Sequence, residues 1–241
     1  MLAAESLTKP GIVSDSWLTE VLGRPAWRVE WDAPDLASAV AVGASRGPGF
    51  YFTRVPSQNV ERLRQFEEFG FRIVDLTITL EAAASAQNTS ATNIVRLATP
   101  EDRLAVTEIA AKSFEWSRLH LDPLIPRKIA DRSRAEWVSN FFAGKRGDAL
   151  IIAENGGTPA AFLLAVGPDE GILTIDLIAT SAGARRLGLG ASCVHFAARA
   201  IAATERLRVA TQAVNTGSLS FYEALGFRTI ASHYVLHFHR A

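Results

Sequence analysis

The sequence predicts an α/β fold, a sheet carrying helices on its faces, divided into a smaller N-terminal half and a larger C-terminal one. Three observations lead there. Short runs rich in apolar, aromatic and β-branched residues alternate with helical patterns along most of the 241 residues. A small polar stretch, EAAASAQNTSATN from Glu81 to Asn93, interrupts the apolar periodicity and reads as a linker. Finally, Asn59, Leu63, Phe66, Glu67, Gly70, Phe71 and Arg72 recur as Asn215, Leu219, Tyr222, Glu223, Gly226, Phe227 and Arg228, every pair 156 residues apart. One separation shared by seven positions points to a duplicated helix, Gly-Phe corner and strand.

Taken in order, WRVEW and GFYFTRV read as strands, a helix runs from about Gln58 to Phe69, and RIVDLTITL alternates as a strand. Past the linker, NIVRLAT is a strand. PEDRLAVTEIAAKSF follows as a helix with Thr99 at its N-cap and Pro100 in its first position. SRLHLDPLIP reads as a loop, and a second helix covers about Lys128 to Phe142. DALIIAE, PAAFLLAVG and GILTIDLIAT are three strands, the last leading through ARRLGLG into the long helix SCVHFAARAIAAT. Strand RLRVATQAV, helix TGSLSFYEAL and strand FRTIASHYVLHFHR complete the chain. The expected domains are residues 1–86, a linker at 87–93, and 94–241.

Composition narrows the functional classes. With 48% hydrophobic and 21% charged residues the chain can bury a core, which excludes intrinsic disorder. Twenty-five basic residues balance 25 acidic ones, so no overall basic field recommends nucleic acid or an anionic membrane as partner. The single cysteine, Cys193, excludes a disulfide framework and a Cys-rich zinc site and fits a reducing cytoplasm. The opening residues lack the basic start and apolar run of a signal peptide, and a cytoplasmic protein is expected. Oligomeric state is not readable, and a homodimer stays open.

Chemistry concentrates at ARRLGLG, Ala184 to Gly190. Lying between a strand and a helix, its backbone N–H groups converge at the positive end of that helix, where an anion is stabilised. Gly188 and Gly190 permit close approach, while Arg185 and Arg186 add charge that suits phosphate. The competing explanation is a tight strand-to-helix turn. The spacing is neither the three-glycine dinucleotide fingerprint nor a P-loop.

R-R-L-G-L-G resembles the (Gln/Arg)-x-x-Gly-x-(Gly/Ala) loop of the GNAT superfamily of acyl-CoA-dependent N-acyltransferases, and it stands in that family's order of elements. N-T-G-S-L-S-F-Y-E-A-L-G-F-R is similar to the family's closing motif. Together the two cover about Asn93 to Ala241. SRLHLDP, the helix with EWVSN, RVATQAVNT and the N-terminal half with SWLTEVLG further resemble the sugar-amine acetyltransferases typified by TDP-fucosamine acetyltransferase.

The resemblance implies a GNAT fold, a mixed central sheet with flanking helices, joined to a degenerate GNAT-like N-terminal half. It implies acetyl-CoA as co-substrate, with backbone groups of Leu177, Ile178 and Ala179 along the pantetheine arm. Arg185, Arg186, Leu187, Gly188, Leu189, Gly190 and Ala191 would hold the pyrophosphate. Asn215 would fix the arm, and Tyr222 would protonate the thiolate. The acceptor would be a small amine, first of all a nucleotide-linked amino sugar, touching Arg118, His120, Asp122, Trp137 and Asn140. An amino acid, polyamine or protein N-terminus is the alternative acceptor, and an acyl-CoA-binding regulatory module the alternative class.

Several residues carry a plainer reading beside the chemical one. Asp176, on the acetyl-CoA strand, is a candidate base or a mere ion-pair partner, and His120 a second base or a loop hydrogen-bonding group. Phe221 is assigned to the core, leaving Tyr222 for the site, and Asp122 before Pro123 has a turn-forming explanation. His237 and His239 share a strand face without a third ligand nearby in sequence, so no metal is expected. Cys193 and His195 read as helix packing.

Overall fold

A computed structural model describes residues 11–45, 47–87 and 93–240. The first copy comprises β1 (Ile12–Ser14), α1 (Ser16–Leu22), β2 (Ala26–Val29), α2 (Leu36–Ser45), β3 (Gly49–Pro56), α3 (Val60–Glu68) and β4 (Arg72–Ala83). The second continues with β5 (Val95–Leu97), α4 (Arg103–Ser113), α5 (Arg118–Leu121), α6 (Arg127–Phe142), β6 (Ala149–Asn155), β7 (Thr158–Asp169) and β8 (Ile172–Thr180). It closes with α7 (Leu189–Ala200), β9 (Arg206–Gln212), α8 (Thr216–Ala224) and β10 (Arg228–Arg240).

The chain divides into two compact units, one reaching Leu76 and taking up the C-terminal stretch from His233, the other Thr77–Ser232. In the first, β1 is antiparallel to β2, β2 parallel to β3, and β3 antiparallel to β10 over His233–Arg240. Its core gathers Val29, Tyr51, Val55, Phe66, Phe71 and Leu236. In the second, β4 from Thr77 onward is antiparallel to β9 and β9 parallel to β8, while β8, β7, β6 and β5 follow in antiparallel order. Alternation along β6 sends Leu150 and Ile152 to a core with Val106 and Val138, and Ile151 and Ala153 to another with Val194 and Phe227. Helices therefore cover both faces of this sheet.

The repeat seen in sequence is a structural one. Helices α3 and α8 both end in a Schellman arrangement: Gly70 N–H reaches Glu67 O and Phe71 N–H reaches Phe66 O, as Gly226 reaches Glu223 and Phe227 reaches Tyr222. Both glycines take positive φ, +92° and +83°, which explains why the position is glycine twice. The parallel pair β2–β3 with α2 between its strands matches β8–β9 with α7. Pairing also obeys the repeat: Thr77 lies opposite Gln212, and His233 opposite Pro56. Each copy's last strand completes the other copy's sheet, so the units divide at Leu76/Thr77 and Ser232/His233, positions 156 apart.

Several expectations need correction. The sequence set the domain boundary at residues 87–93, of which 88–92 lie outside the described residues; the compact units divide instead inside β4 and β10. Glu81 to Gln87 is not a linker. Glu81–Ala83 ends β4, with Glu81 paired to Arg206 and Arg208, and Ala84–Gln87 is a 3-10 turn. Gln87 is buried, its side-chain amide donating to Leu225 O at 2.7 Å. Small polar residues looked uncommitted, but their partners lie more than a hundred residues away. The expected loop SRLHLDPLIP contains the one-turn α5, capped by Ser117. Strand β1 and helices α1 and α2 are additions to the expected elements; α2 is mostly alanine, serine and valine without a clear apolar stripe.

Candidate functional site

The second unit holds a cavity of about 600 Å³, lined by the segment Ser113–Ser117, by Ile178–Thr180 of β8, by Ala184–Arg186 and Gly188–Ala191 of the loop and helix start, and by Gln212, Asn215, Gly217, Ser218 and Phe221. The parting of two strands helps to form it. The parallel β8–β9 register runs only from Ile172↔Arg206 to Ile175↔Val209; from Asp176 on, β8 is paired to β7 alone among the described residues. At the same place β7 and β8 shift register: Leu164 faces Leu177 and Ala165 faces Ile175, leaving Asp176 as the extra residue. A bulge of this kind bends its strand and increases the local twist. Ile178, Ala179 and Thr180 line the cavity consecutively, so the strand presents backbone as well as side chains to it.

The loop has a geometry that suits an anion. Gly188, at φ +76°, is the N-cap of the 12-residue α7, and Arg186 also takes positive φ, +64°. These turns aim the first N–H groups of α7 out of the helix, where its dipole favours negative charge. Asn93 pins the loop, its amide donating to Ser192 Oγ at 2.9 Å and to Leu187 O at 3.4 Å. At Gly190 a Cβ would make only an ordinary contact with Phe221, at 3.4 Å, so packing alone does not require glycine there. Asn215 caps α8, its Oδ1 accepting from Ser218 N–H at 3.2 Å.

Of the residues expected around a cofactor, Ile178, Ala179, Arg185, Arg186, Gly188, Leu189, Gly190, Ala191 and Asn215 line this one cavity. Leu177 faces the core beside Phe162 and Leu164, and Leu187 is exposed outside the lining. Tyr222 and Phe221 exchange the places assigned to them. Phe221 lines the cavity, whereas Tyr222 is 2% exposed, packed between Phe221 and Phe227 at ring distances of 5.1 and 5.3 Å. Burial pushes the Tyr222 phenol well above its ordinary pKa.

Asp176 is not a free base. Its Oδ1 accepts from Arg146 Nη2 at 2.6 Å; its Oδ2 accepts from Arg146 Nε at 2.7 Å and from Trp137 Nε1 at 2.6 Å. With both oxygens held in a bidentate guanidinium pair, the carboxylate braces the bulge of β8 against α6. Trp137 is committed to the same brace, with Arg146 stacked 4.0 Å over its ring. Among the acceptor candidates, Asp122 Oδ1 accepts from Leu124 N–H in a turn, as its proline neighbour suggested. Neither Arg118, His120, Asp122, Trp137 nor Asn140 lines the cavity. Burial pushes the Cys193 thiol up to about 12, so it is no nucleophile at neutral pH.

Sequence reasoning missed Phe114, Trp116, Ser117 and Gln212 in the wall. Aromatics at the C-terminal end of a helix, in SFEWS, are the signal that could have found the first two. Ser117 needs the fold: its Oγ lies 2.6 Å from Nδ1 of His120, whose Nε2 lies 2.9 Å from Asp131 Oδ1. The His120 side chain is 1% exposed, and burial holds its pKa below the ordinary histidine value, partly opposed by Asp131.

Comparison with known proteins bears on this site. The model of the acetyltransferase (GNAT) family matches residues 104–227, which include both cavity-forming strands, the glycine loop and α8. The spore coat polysaccharide biosynthesis protein SpsD of Bacillus subtilis (strain 168) is 29% identical over 145 residues, covering 57% of this chain and 48% of that protein. The chain thus spans about half the length of the curated relative it matches. Among solved structures, a GCN5-related N-acetyltransferase from Sphaerobacter thermophilus superposes with a TM-score of 0.61 at 13% identity, over 95% of this chain and 76% of that one. A tandem GNAT protein from the clavulanic acid biosynthesis pathway gives 0.61 at 11% identity, over 90% and 76%. These structural likenesses concern the fold alone.

Proposed function

The chain belongs to the acetyltransferase (GNAT) family, and from that premise we propose that it transfers the acetyl group of acetyl-CoA to a small amine, specifically that of a nucleotide-linked amino sugar. The observation that carries the reading is the cavity in which the glycine loop at the start of α7 meets the unpaired edge of β8. In this reading the pyrophosphate sits at the N–H groups around Gly188 and Gly190. The pantetheine arm extends β8 along Leu177 to Ala179, and Asn215 steadies it. Phe114, Trp116 and Phe221 offer apolar surface to the arm.

A neutral amine then attacks the thioester carbonyl, whose developing oxyanion takes a backbone N–H of β8. Tyr222 donates to the departing sulfur. Proton transfer from a free tyrosine to a thiolate is uphill by roughly 2 kcal/mol, and burial raises the phenol further, so its contribution is a hydrogen bond with late transfer.

Two features favour an anionic sugar acceptor. Arg127, Lys128, Arg132 and Arg134 all lie in the first half of α6, with Arg127 and Arg132 paired to Asp131 and Glu136, and the SpsD relative is a polysaccharide biosynthesis protein. The test is thiol release from acetyl-CoA against a panel of nucleotide amino sugars, amino acids and polyamines. Turnover confined to the sugars supports the reading; turnover of only the others removes the sugar. A second reading, an acyl-CoA-binding module without turnover, draws on the burial of Tyr222 and its place outside the cavity wall. Acetyl-CoA binding without thiol release for any amine would establish it.

A further inference from the structure

We propose that Ser117, His120 and Asp131 form a proton relay that removes the proton of the attacking amine. This rests on the acetyl-transfer reading and adds the proton acceptor that reading lacks, since Asp176 is consumed by Arg146 and Trp137. Ser117 borders the cavity. Its Oγ accepts weakly from the His120 backbone N–H at 3.4 Å and stands 2.6 Å from His120 Nδ1. The hydroxyl proton is thereby directed at Nδ1, so Nδ1 carries the lone pair and Nε2–H donates to Asp131 Oδ1 at 2.9 Å. The result is a continuous hydrogen-bonded path from a residue that lines the cavity to a carboxylate, with the ring closed to water.

The step balances without any further reagent. As the amine nitrogen bonds to the thioester carbon, its N–H proton passes to Ser117 Oγ while the Ser117 proton passes to His120 Nδ1. Serine is restored, and the imidazolium is held by Asp131. The C–S bond breaks, and the sulfur leaves with a proton from Tyr222 or solvent. The charged groups facing the ring are Asp131, Arg127 and Arg134, all on α6. Burial and the two arginines keep the imidazole neutral near pH 7, ready to accept, while Asp131 stabilises the protonated form.

The experiment follows the full chain with acetyl-CoA and a nucleotide-linked amino sugar, measuring kcat/KM from pH 5 to 8. Wild type should lose activity on the acid side as His120 protonates. Ser117→Ala and His120→Gln should each lower kcat/KM at pH 7 by about 10- to 100-fold and remove the His120 component of that acid limb, leaving the part set by protonation of the amine itself. Acetyl-CoA affinity by calorimetry should stay within about two-fold, which establishes that the variants are folded. Asp131→Asn should lower the rate about 10-fold and move the limb to lower pH. A Ser117→Ala protein with normal rate and an unchanged acid limb would overturn the relay, as would acetylated Ser117 in an intact mass spectrum, which means a covalent route. If no amine is acetylated, the functional reading fails by itself. The relay is then still read by ¹⁵N NMR of the imidazole: Nε2–H supports it and Nδ1–H overturns it.

Discussion

Helices α2 and α7 hold equivalent places in the two copies, but the residues leading into them have opposite character. Where the second copy has Arg186, Gly188 and Gly190, the first has Glu30, Asp32 and Pro34, each 156 residues earlier. A site that concentrates N–H groups and positive charge in one copy is acidic and proline-bearing in the other. Further on, the second copy carries Tyr222 where the first carries Phe66. Everything that shapes the corner is shared: Gly70 and Gly226, Phe71 and Phe227, the Schellman bonds and the register of the exchanged strands. The duplicated residues are those that make a fold, and the divergent ones those that could make a site.

If the shared residues act only as scaffold, removing them should cost the two copies alike. Phe71 and Phe227 are both fully buried, with ring contacts to Phe66 at 5.0 Å and to Tyr222 at 5.3 Å. Phe71→Ala and Phe227→Ala should each destabilise by about 3 to 5 kcal/mol in denaturant unfolding. A cost confined to one copy would show that the equivalence is geometric only.

The divergent loop should behave asymmetrically. Gly188→Asp places a carboxylate at the proposed pyrophosphate site and a Cβ at φ +76°, so acetyl-CoA affinity should fall about 100-fold, near 3 kcal/mol. Asp32→Gly in the first copy should leave binding unchanged. Calorimetry of the intact chain should give one site; two sites would mean that the acidic loop does not disable the first copy.

A finer division runs through a single oxygen. Tyr222→Phe makes the second copy match the first at this position and preserves the ring, so stability should change by less than about 1.5 kcal/mol. In the proposed mechanism kcat should fall roughly 100-fold with acetyl-CoA affinity within a few-fold. Phe66→Tyr should supply no activity. Near-normal kcat in Tyr222→Phe, with chemistry limiting, would make Tyr222 the counterpart of Phe66 in role as well as place.

These contrasts also mark what the sequence could reveal. The corner residues and ARRLGLG were legible because glycine at positive φ and glycine at a helix start leave local signatures. The exchange of β4 and β10 was not, since both strands read as ordinary alternating segments and only pairing reveals which sheet each one joins. Asp176 was legible as a charged residue on the right strand, but its partners lie 30 and 39 positions away, so brace and base looked alike. Ser117 and Asp131 flank His120 in sequence, yet only the one-turn α5 in a segment read as loop, packed beside α6, brings the three side chains into line.

The smallest expected contrast concerns acid. His195 in α7 is buried, with Nδ1 at 3.1 Å from Gln87 O, while its counterpart in α2 is the fully buried Ala39. Burial holds the His195 pKa below the ordinary value near 6.5; the Gln87 contact opposes this and Arg199 reinforces it. The sign follows from linkage. As pH drops below about 6.5 the unfolded chain takes up a proton that the folded chain resists, so stability present above that pH declines toward the folded pKa. His120 and His233 are lowered in the same direction, and the paired carboxylates Glu81 and Asp102 enter only nearer pH 4. Melting temperature should therefore fall from pH 7 to pH 5, and His195→Gln, which keeps a donor for Gln87, should make the decline shallower without removing it. An unchanged slope would show that His195 in α7 adds no more acid sensitivity than Ala39 adds in α2.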